Sequence, residues 1–174
     1  MLTFGHGRLN ATELTELVEG AGITEVVDVR RFPGSRTNHA AAKGEIPGLL
    51  DEIGIGYRWD ERLGGRRSLT VAENLESPDT WWRVKAFRAF AAWTRTDSLR
   101  AALPQLLAAP DTCALMCSEA VWWRCHRRLI SDVLVVEYGV VARHLMHDGR
   151  LIDHVPSPGA RRDERGWLVW DGPR

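Results

Sequence analysis

The chain predicts a single α/β domain built on a mainly parallel sheet with helices on both faces, a Rossmann-like arrangement. Three observations predict it. Short apolar runs rich in β-branched residues alternate with segments of helical period. Strand-like runs such as Val26, Val27 and Val29 are nearly continuous in apolar residues, as a strand covered on both faces requires. The 174 residues suit one domain with a real core rather than two.

Taken in order, Met1 to Gly5 reads as a first strand ending in the loop Gly5-His6-Gly7. Asn10-Ala11-Thr12-Glu13 is a capping-box pattern opening a helix whose inner stripe is Leu14, Leu17 and Val18, closed by Gly20 and Gly22. Ile23 to Arg30 is a second strand, followed by the turn-rich Arg31-Phe32-Pro33-Gly34-Ser35-Arg36. A helix is expected within 38–53, with Pro47 at a start or kink. Ile55 to Trp59 is a third strand, and 60–78 a long loop. A helix is expected over Thr80 to Trp93 with Trp82, Phe87 and Phe90 inward, and another over Leu99 to Ala108, where Pro104 warns of a break. Thr112 to Met116 is a fourth strand and 122–137 a helix. Val140 to Met146 is a fifth strand, and Leu151 to Val155 a short edge strand paired back on it. The division expected is an α/β domain over 1–155 and a polar tail over 156–174 packed on it.

Composition excludes little and directs little. Net charge is zero, so no global field argues for nucleic acid or a membrane surface. The arginines nevertheless gather at 30–36, 62–67, 124–128 and 161–165, which allows a basic face on a neutral protein. No apolar run approaches the roughly 18–20 residues needed to span a bilayer, so no membrane partner is expected. Three cysteines and no leader pattern are read as free thiols in a reducing, cytoplasmic setting.

The chemistry-bearing stretch is Cys117-Ser118-Glu119 through Cys125-His126-Arg127, where a buried strand gives way to a helix. Ligands bind open α/β sheets at such carboxyl ends, and a helix start favours anions. With the helix beginning near Trp122, Cys125 would lie in its first turn, where the dipole favours thiolate. The alternative is a cysteine packed under the sheet. Glu119 would be a base, an orienter of arginine, or a salt-bridged turn residue, and His126 suits proton transfer near neutral pH. Arg30, Arg36 and Arg127 would hold an anion with their planar forks. Asp28 and Arg30 share a strand face. His6, Ser35, Gly64 and Gly65 complete the candidate binding set, provided the second and fourth strands are neighbours and the loops converge.

No metal and no cofactor are expected. The spacing Cys113-x3-Cys117-x7-Cys125-His126 matches no common zinc pattern. In an extended strand Cys113 and Cys117 would be about 13 Å apart at roughly 3.3 Å per residue, too far to share an ion. A cysteine phosphatase or rhodanese-like enzyme is an alternative: Cys117 stands between strand and helix, and Asp28-Val29-Arg30 is similar to a stretch of rhodanese-like domains. However, Cys117 to Arg124 is one residue longer than the Cys-x5-Arg of the phosphatases.

Together, Gly5-His6, Asp28-Val29-Arg30 with Pro33 and Ser35, Leu63-Gly64-Gly65, Cys117-Ser118-Glu119 and Cys125-His126-Arg127 occur in an order that resembles the bacterial domain-of-unknown-function family 488, over about residues 2 to 146. The resemblance implies a small cytoplasmic α/β domain with its polar residues at one end of the sheet. It carries no established activity. An association of relatives with DNA-repair-type domains implies a nucleotide or nucleic acid as partner. The expectation is therefore an enzyme acting on a phosphate-bearing substrate of that class, a hydrolase or transferase. A non-enzymatic nucleic-acid-binding module is the alternative from a different class. Oligomeric state is left open.

Overall fold

A computed structural model describes residues 1–110 and 112–173. Its centre is strand β4 (Cys113–Cys117), buried at every position and paired in parallel with β1 (Leu2–Gly5) on one side and β2 (Glu25–Asp28) on the other. Strand β3 (Gly56–Trp59) extends the sheet beyond β2, and β5 (Arg143–Leu145) extends it beyond β1. Only β6 (Leu151–Asp153) runs antiparallel, at the edge, giving the order β3-β2-β4-β1-β5-β6. The α/β class with a mostly parallel sheet is thus the observed one, and the second and fourth strands are neighbours.

The pleat divides the core. Ala114 and Met116 face the layer formed by α1 (Ala11–Gly20) and α2 (Glu45–Glu52), with Leu14, Val18, Ile46 and Leu50 packed on Phe4 and Val26. Cys113, Leu115 and Cys117 face the opposite layer, where Phe90, Leu103, Leu106, Leu129, Val133 and Trp170 pack on Val27. That layer holds α4 (Lys85–Trp93), α5 (Asp97–Arg100), α6 (Leu103–Leu107) and α7 (Arg127–Tyr138). Asn10 and Glu13 form the expected capping box at α1. No helix of the described residues is long and apolar enough to cross a membrane.

Four expectations change in the folded chain. The loop over 60–78 contains a short helix, α3 (Val71–Glu76), started by a second capping box between Thr70 and Glu73. The helix expected over Thr80 to Trp93 begins only at Lys85, and ahead of it the Trp81 N–H donates to the carbonyl of Trp170 in the tail. The helix over Leu99 to Ala108 is two short helices, and Pro104 sits near the start of the second, where its missing N–H costs nothing. The helix expected from 122 begins at Arg127. Residues Trp122–Arg124 form one 3₁₀ turn, and Cys125 is extended, at φ −121° and ψ 150°.

The tail is built into the molecule. Its strands β7 (Ala160–Arg162) and β8 (Leu168–Trp170) make a separate antiparallel pair, and Leu168 and Trp170 are fully buried against α7. Trp170 Nε1–H donates to Asp132 Oδ2 at 2.8 Å, and this contact ends a buried polar relay. Asp132 can only accept when ionised, so His154 Nε2 donates to it, at 2.9 Å. His154 Nδ1 and His144 Nε2 are hydrogen-bonded at 2.9 Å, and His144 Nδ1 and the Thr3 hydroxyl at 2.7 Å. Trp122 stacks on His144 with centroids 4.0 Å apart.

Burial, with His154 and Arg127 adding to it, lowers the His144 pKa from 6.5 to about 3. Below pH 6.5 the unfolded chain binds the proton more readily than the folded one. The His144 contribution is accordingly present above pH 6.5 and lost as pH falls from there toward 3, by about 1.4 kcal/mol per unit. Urea unfolding at pH 7.5 and 5 should show His144→Asn less stable than wild type at the higher pH but losing less between the two. Equal losses would exclude this origin.

Candidate active site

Because β1, β2 and β4 are parallel and in register, their carboxyl ends finish together, with Gly5 opposite Cys117 and Asp28 opposite Met116. The loops after them share one rim and enclose a cleft of about 910 Å³. Of the expected site residues, Arg30, Ser35, Arg36, Gly65, Cys117, Glu119, Cys125 and His126 line it. His6, Gly64 and Arg127 stand behind its wall.

The floor is Cys117, Cys125 and His126. His126 Nε2 lies 3.0 Å from the Val29 carbonyl, so that nitrogen carries the hydrogen. The free lone pair on Nδ1 then faces both sulfurs, 3.5 Å from Cys125 Sγ and 3.9 Å from Cys117 Sγ. Phe90 packs against the ring at 5.0 Å between centroids. Gly65 must be glycine here, since a Cβ would lie 2.8 Å from His126 Nδ1; a Cβ on Gly64 would lie 2.7 Å from Arg31 Cα.

Cys125 does not sit in the first turn of a helix, so the dipole is not what activates it. Burial opposes its ionisation, but a hydrogen bond from Cys117 and the Arg127 guanidinium outweigh burial and lower its pKa. The same hydrogen bond, together with burial, raises that of Cys117. Of the two sulfurs, Cys125 is thus the one more inclined to ionise. Cys113 is buried at the far end of β4, where burial pushes its thiol up to about 11.

Arg127 is 1% exposed and touches no cleft surface. Its Nε donates to Cys125 Sγ at 3.4 Å, its Nη1 to Thr3 Oγ1 at 3.4 Å, and its Nη2 to the Glu119 carbonyl. It is a structural cation beneath the site rather than a ligand-gripping one, which the helix pattern could not reveal. Glu119 contributes its carbonyl to this contact and leaves its carboxylate exposed in the cleft.

Arg30 is also more constrained than expected. Its Nε and Nη2 grip both oxygens of fully buried Asp28, at 2.6 to 3.0 Å, and Tyr57 donates to the same carboxylate. Its Nη1 meets His6 Nε2 at 3.3 Å. His6 Nδ1–H donates to Gly7 O, leaving Nε2 to accept; burial and Arg30 lower its pKa to about 4. Ser35 Oγ accepts from the N–H groups of Thr37 and Asn38 and so shapes the loop.

Sequence reasoning missed Arg31, Phe32, Arg66 and Arg124, all of which line the cleft. Arg66 holds a left-handed backbone, φ 56°, that non-glycine residues seldom adopt, and its carbonyl is gripped by Arg31 at 2.8 Å. The clustering of arginines at 30–36, 62–67 and 124–128 was the available signal.

An α/β domain with a cysteine–cysteine–histidine floor under an arginine-lined cleft is the class of protein that this fold and site define. Its sequence matches the model of the domain of unknown function DUF488 over residues 10–134, and the chain belongs to that family. No curated protein and no solved structure matches it.

Lysine cannot reach three acceptors arranged around a planar fork. Arg127→Lys should therefore lower stability by about 2–4 kcal/mol, the scale of a broken buried charge network, as measured by urea unfolding. A loss within about 0.5 kcal/mol, the range of ordinary surface changes, would show that the fork is not needed.

Proposed function

We propose that the chain is an enzyme acting on a phosphate-bearing substrate of the nucleotide or nucleic-acid class, bound in the cleft above Cys117, Cys125 and His126. The observation that carries this reading is the charge of the lining. Five arginines, Arg30, Arg31, Arg36, Arg66 and Arg124, face a single carboxylate, Glu119. Arg30 is neutralised by Asp28. Arg36 and Arg124 are exposed and make no ion pair among the described residues. On a chain of zero net charge, this concentration is local, and anion affinity is the property it supports.

The dimensions agree. Pockets for small organic ligands are roughly 300–1,000 Å³, and this cleft is at the upper end. Phe32 is 61% exposed on its wall, with the Arg31 guanidinium 5.3 Å from the ring centre, a surface on which a base can stack. In this reading Arg31, Arg36 and Arg124 hold phosphate oxygens. Glu119 is left to move a proton, because His126 has one nitrogen committed to Val29 and the other turned to the sulfurs. The exposed Phe32, Trp59 and Trp123 also support the alternative of a nucleic-acid-binding module without turnover.

Titration calorimetry with nucleoside phosphates and short single-stranded oligonucleotides tests the reading. A charge-assisted hydrogen bond is worth about 1.5–3 kcal/mol, so Arg36→Ala or Arg124→Ala should each weaken binding about tenfold or more. Binding should also weaken with added salt. Glu119→Ala should bind as wild type yet lose turnover. Turnover-free binding by both proteins would favour the binding module, and no binding of any phosphate compound near millimolar concentration would overturn the phosphate reading.

A further inference from the structure

We propose that Cys117 Sγ, Cys125 Sγ and His126 Nδ1 bind one zinc ion, with a fourth coordination position open to the cleft. The three ligand atoms lie within 4.8 Å of one another, and among the described residues no other trio of His, Cys, Asp or Glu side chains does so. The separations fit the ion. With Zn–S near 2.3 Å and Zn–N near 2.0–2.1 Å, tetrahedral coordination places a nitrogen about 3.6 Å from each sulfur. His126 Nδ1 is 3.5 Å from Cys125 Sγ and 3.9 Å from Cys117 Sγ. Both nitrogen–sulfur separations are within a few tenths of an ångström of that value, and the two sulfurs lie within 4.8 Å of each other.

The surroundings suit a metal ligand set. His126 gives its Nε2–H to the Val29 carbonyl at 3.0 Å, the second contact by which proteins fix the tautomer and aim of a metal-binding histidine. Gly65 keeps the approach to Nδ1 clear, since any Cβ there would come within 2.8 Å of it. The Arg127 guanidinium donates to Cys125 Sγ, so one of the two thiolates has a compensating charge already in place. Two soft sulfurs and an imidazole select zinc over magnesium or calcium. All three residues line the cleft, which leaves the fourth position to water or to a substrate oxygen. Three protein ligands and one open position is the arrangement of catalytic rather than structural zinc.

The spacing Cys113-x3-Cys117-x7-Cys125-His126 pointed to no zinc site, and Cys113 and Cys117, at opposite ends of β4, indeed cannot share an ion. Cys125 and His126 replace Cys113 in the cluster because β4 and the extended segment before α7 meet in space.

The inference concerns metal alone and is read without substrate, so it stands or falls separately from the phosphate reading. Reduced protein, purified without chelator, is analysed for metal by mass spectrometry; the stripped protein is then titrated with cobalt(II). One zinc per chain is expected, with a near-ultraviolet thiolate-to-cobalt charge-transfer band and ligand-field bands of four-coordinate intensity. Cys117→Ser and Cys125→Ser should each lower zinc affinity by more than about a hundredfold, beyond the 10–100-fold loss usual for outer contacts, while Cys113→Ser keeps it. If Cys125→Ser does not fold, the wild-type stoichiometry and Cys117→Ser still decide. Reduced wild-type protein that takes up neither zinc nor cobalt at micromolar concentration would overturn the proposal. So would metal binding that survives in Cys117→Ser and is lost in Cys113→Ser.

Discussion

The guanidinium of Arg127 has to be satisfied inside the protein, and much of the molecule is arranged to do it. An unpaired buried charge would cost several kcal/mol. Here the fork reaches a sulfur, a hydroxyl and a carbonyl from three separate segments, Cys125, Thr3 on β1 and Glu119 in the loop after β4. Gly5 supplies the space: a Cβ there would sit 1.8 Å from the Glu119 carbonyl and 2.8 Å from Arg127 Nη2. One side chain thereby joins the central strands to the loop that bears the cysteines and stabilises negative charge on one of them.

From Thr3 the same constraint runs on through His144 and His154 to Asp132, with each donor matched to one acceptor. The Arg127 guanidinium at one end and the Asp132 side chain at the other are thus joined by Thr3, His144 and His154. Asp132 is held in turn by the Ser157 N–H and by Trp170 Nε1. The carboxyl-terminal segment is therefore part of the support of the site, although it lies beyond the residues matched by the family model.

Above this support, the cleft combines two kinds of surface. Its rim is cationic, with arginines drawn from the loops after β2, β3 and β4. Its floor is a nitrogen lone pair and two sulfurs, one of them inclined to ionise. The buried Asp28–Arg30 ion pair with His6, and the hydrogen bond of His126 to Val29, are already committed to structural contacts. That leaves few polar groups free to react: the exposed Glu119 carboxylate and the lone pairs of the floor. A preorganised arrangement of this kind is what the proposed binding of an anion beside a zinc ion would require.

Much of the fold was legible in sequence because its signals are local. β-Branched runs mark strands that are buried on both faces, and Asn10 with Glu13 marks a helix start, whatever lies elsewhere. The same grammar would have found α3 from Thr70 and Glu73. What failed depended on distant partners. α4 starts only after a segment tied to the Trp170 carbonyl, and α7 only after an extended Cys125 whose sulfur meets Cys117 and Arg127. In the site, sequence order alone grouped Cys117, Glu119, Cys125 and His126, and the arginine clusters foretold a basic rim. It could not tell that Arg127 faces inward while Arg36 and Arg124 face the cleft, because residues of one type differ only in where the packed chain points them. The sequence by itself determined the alternation of strands and helices and the residue types available at one sheet edge. Tertiary structure decided which of them meet, since strand order and register set distances that no spacing along the chain encodes.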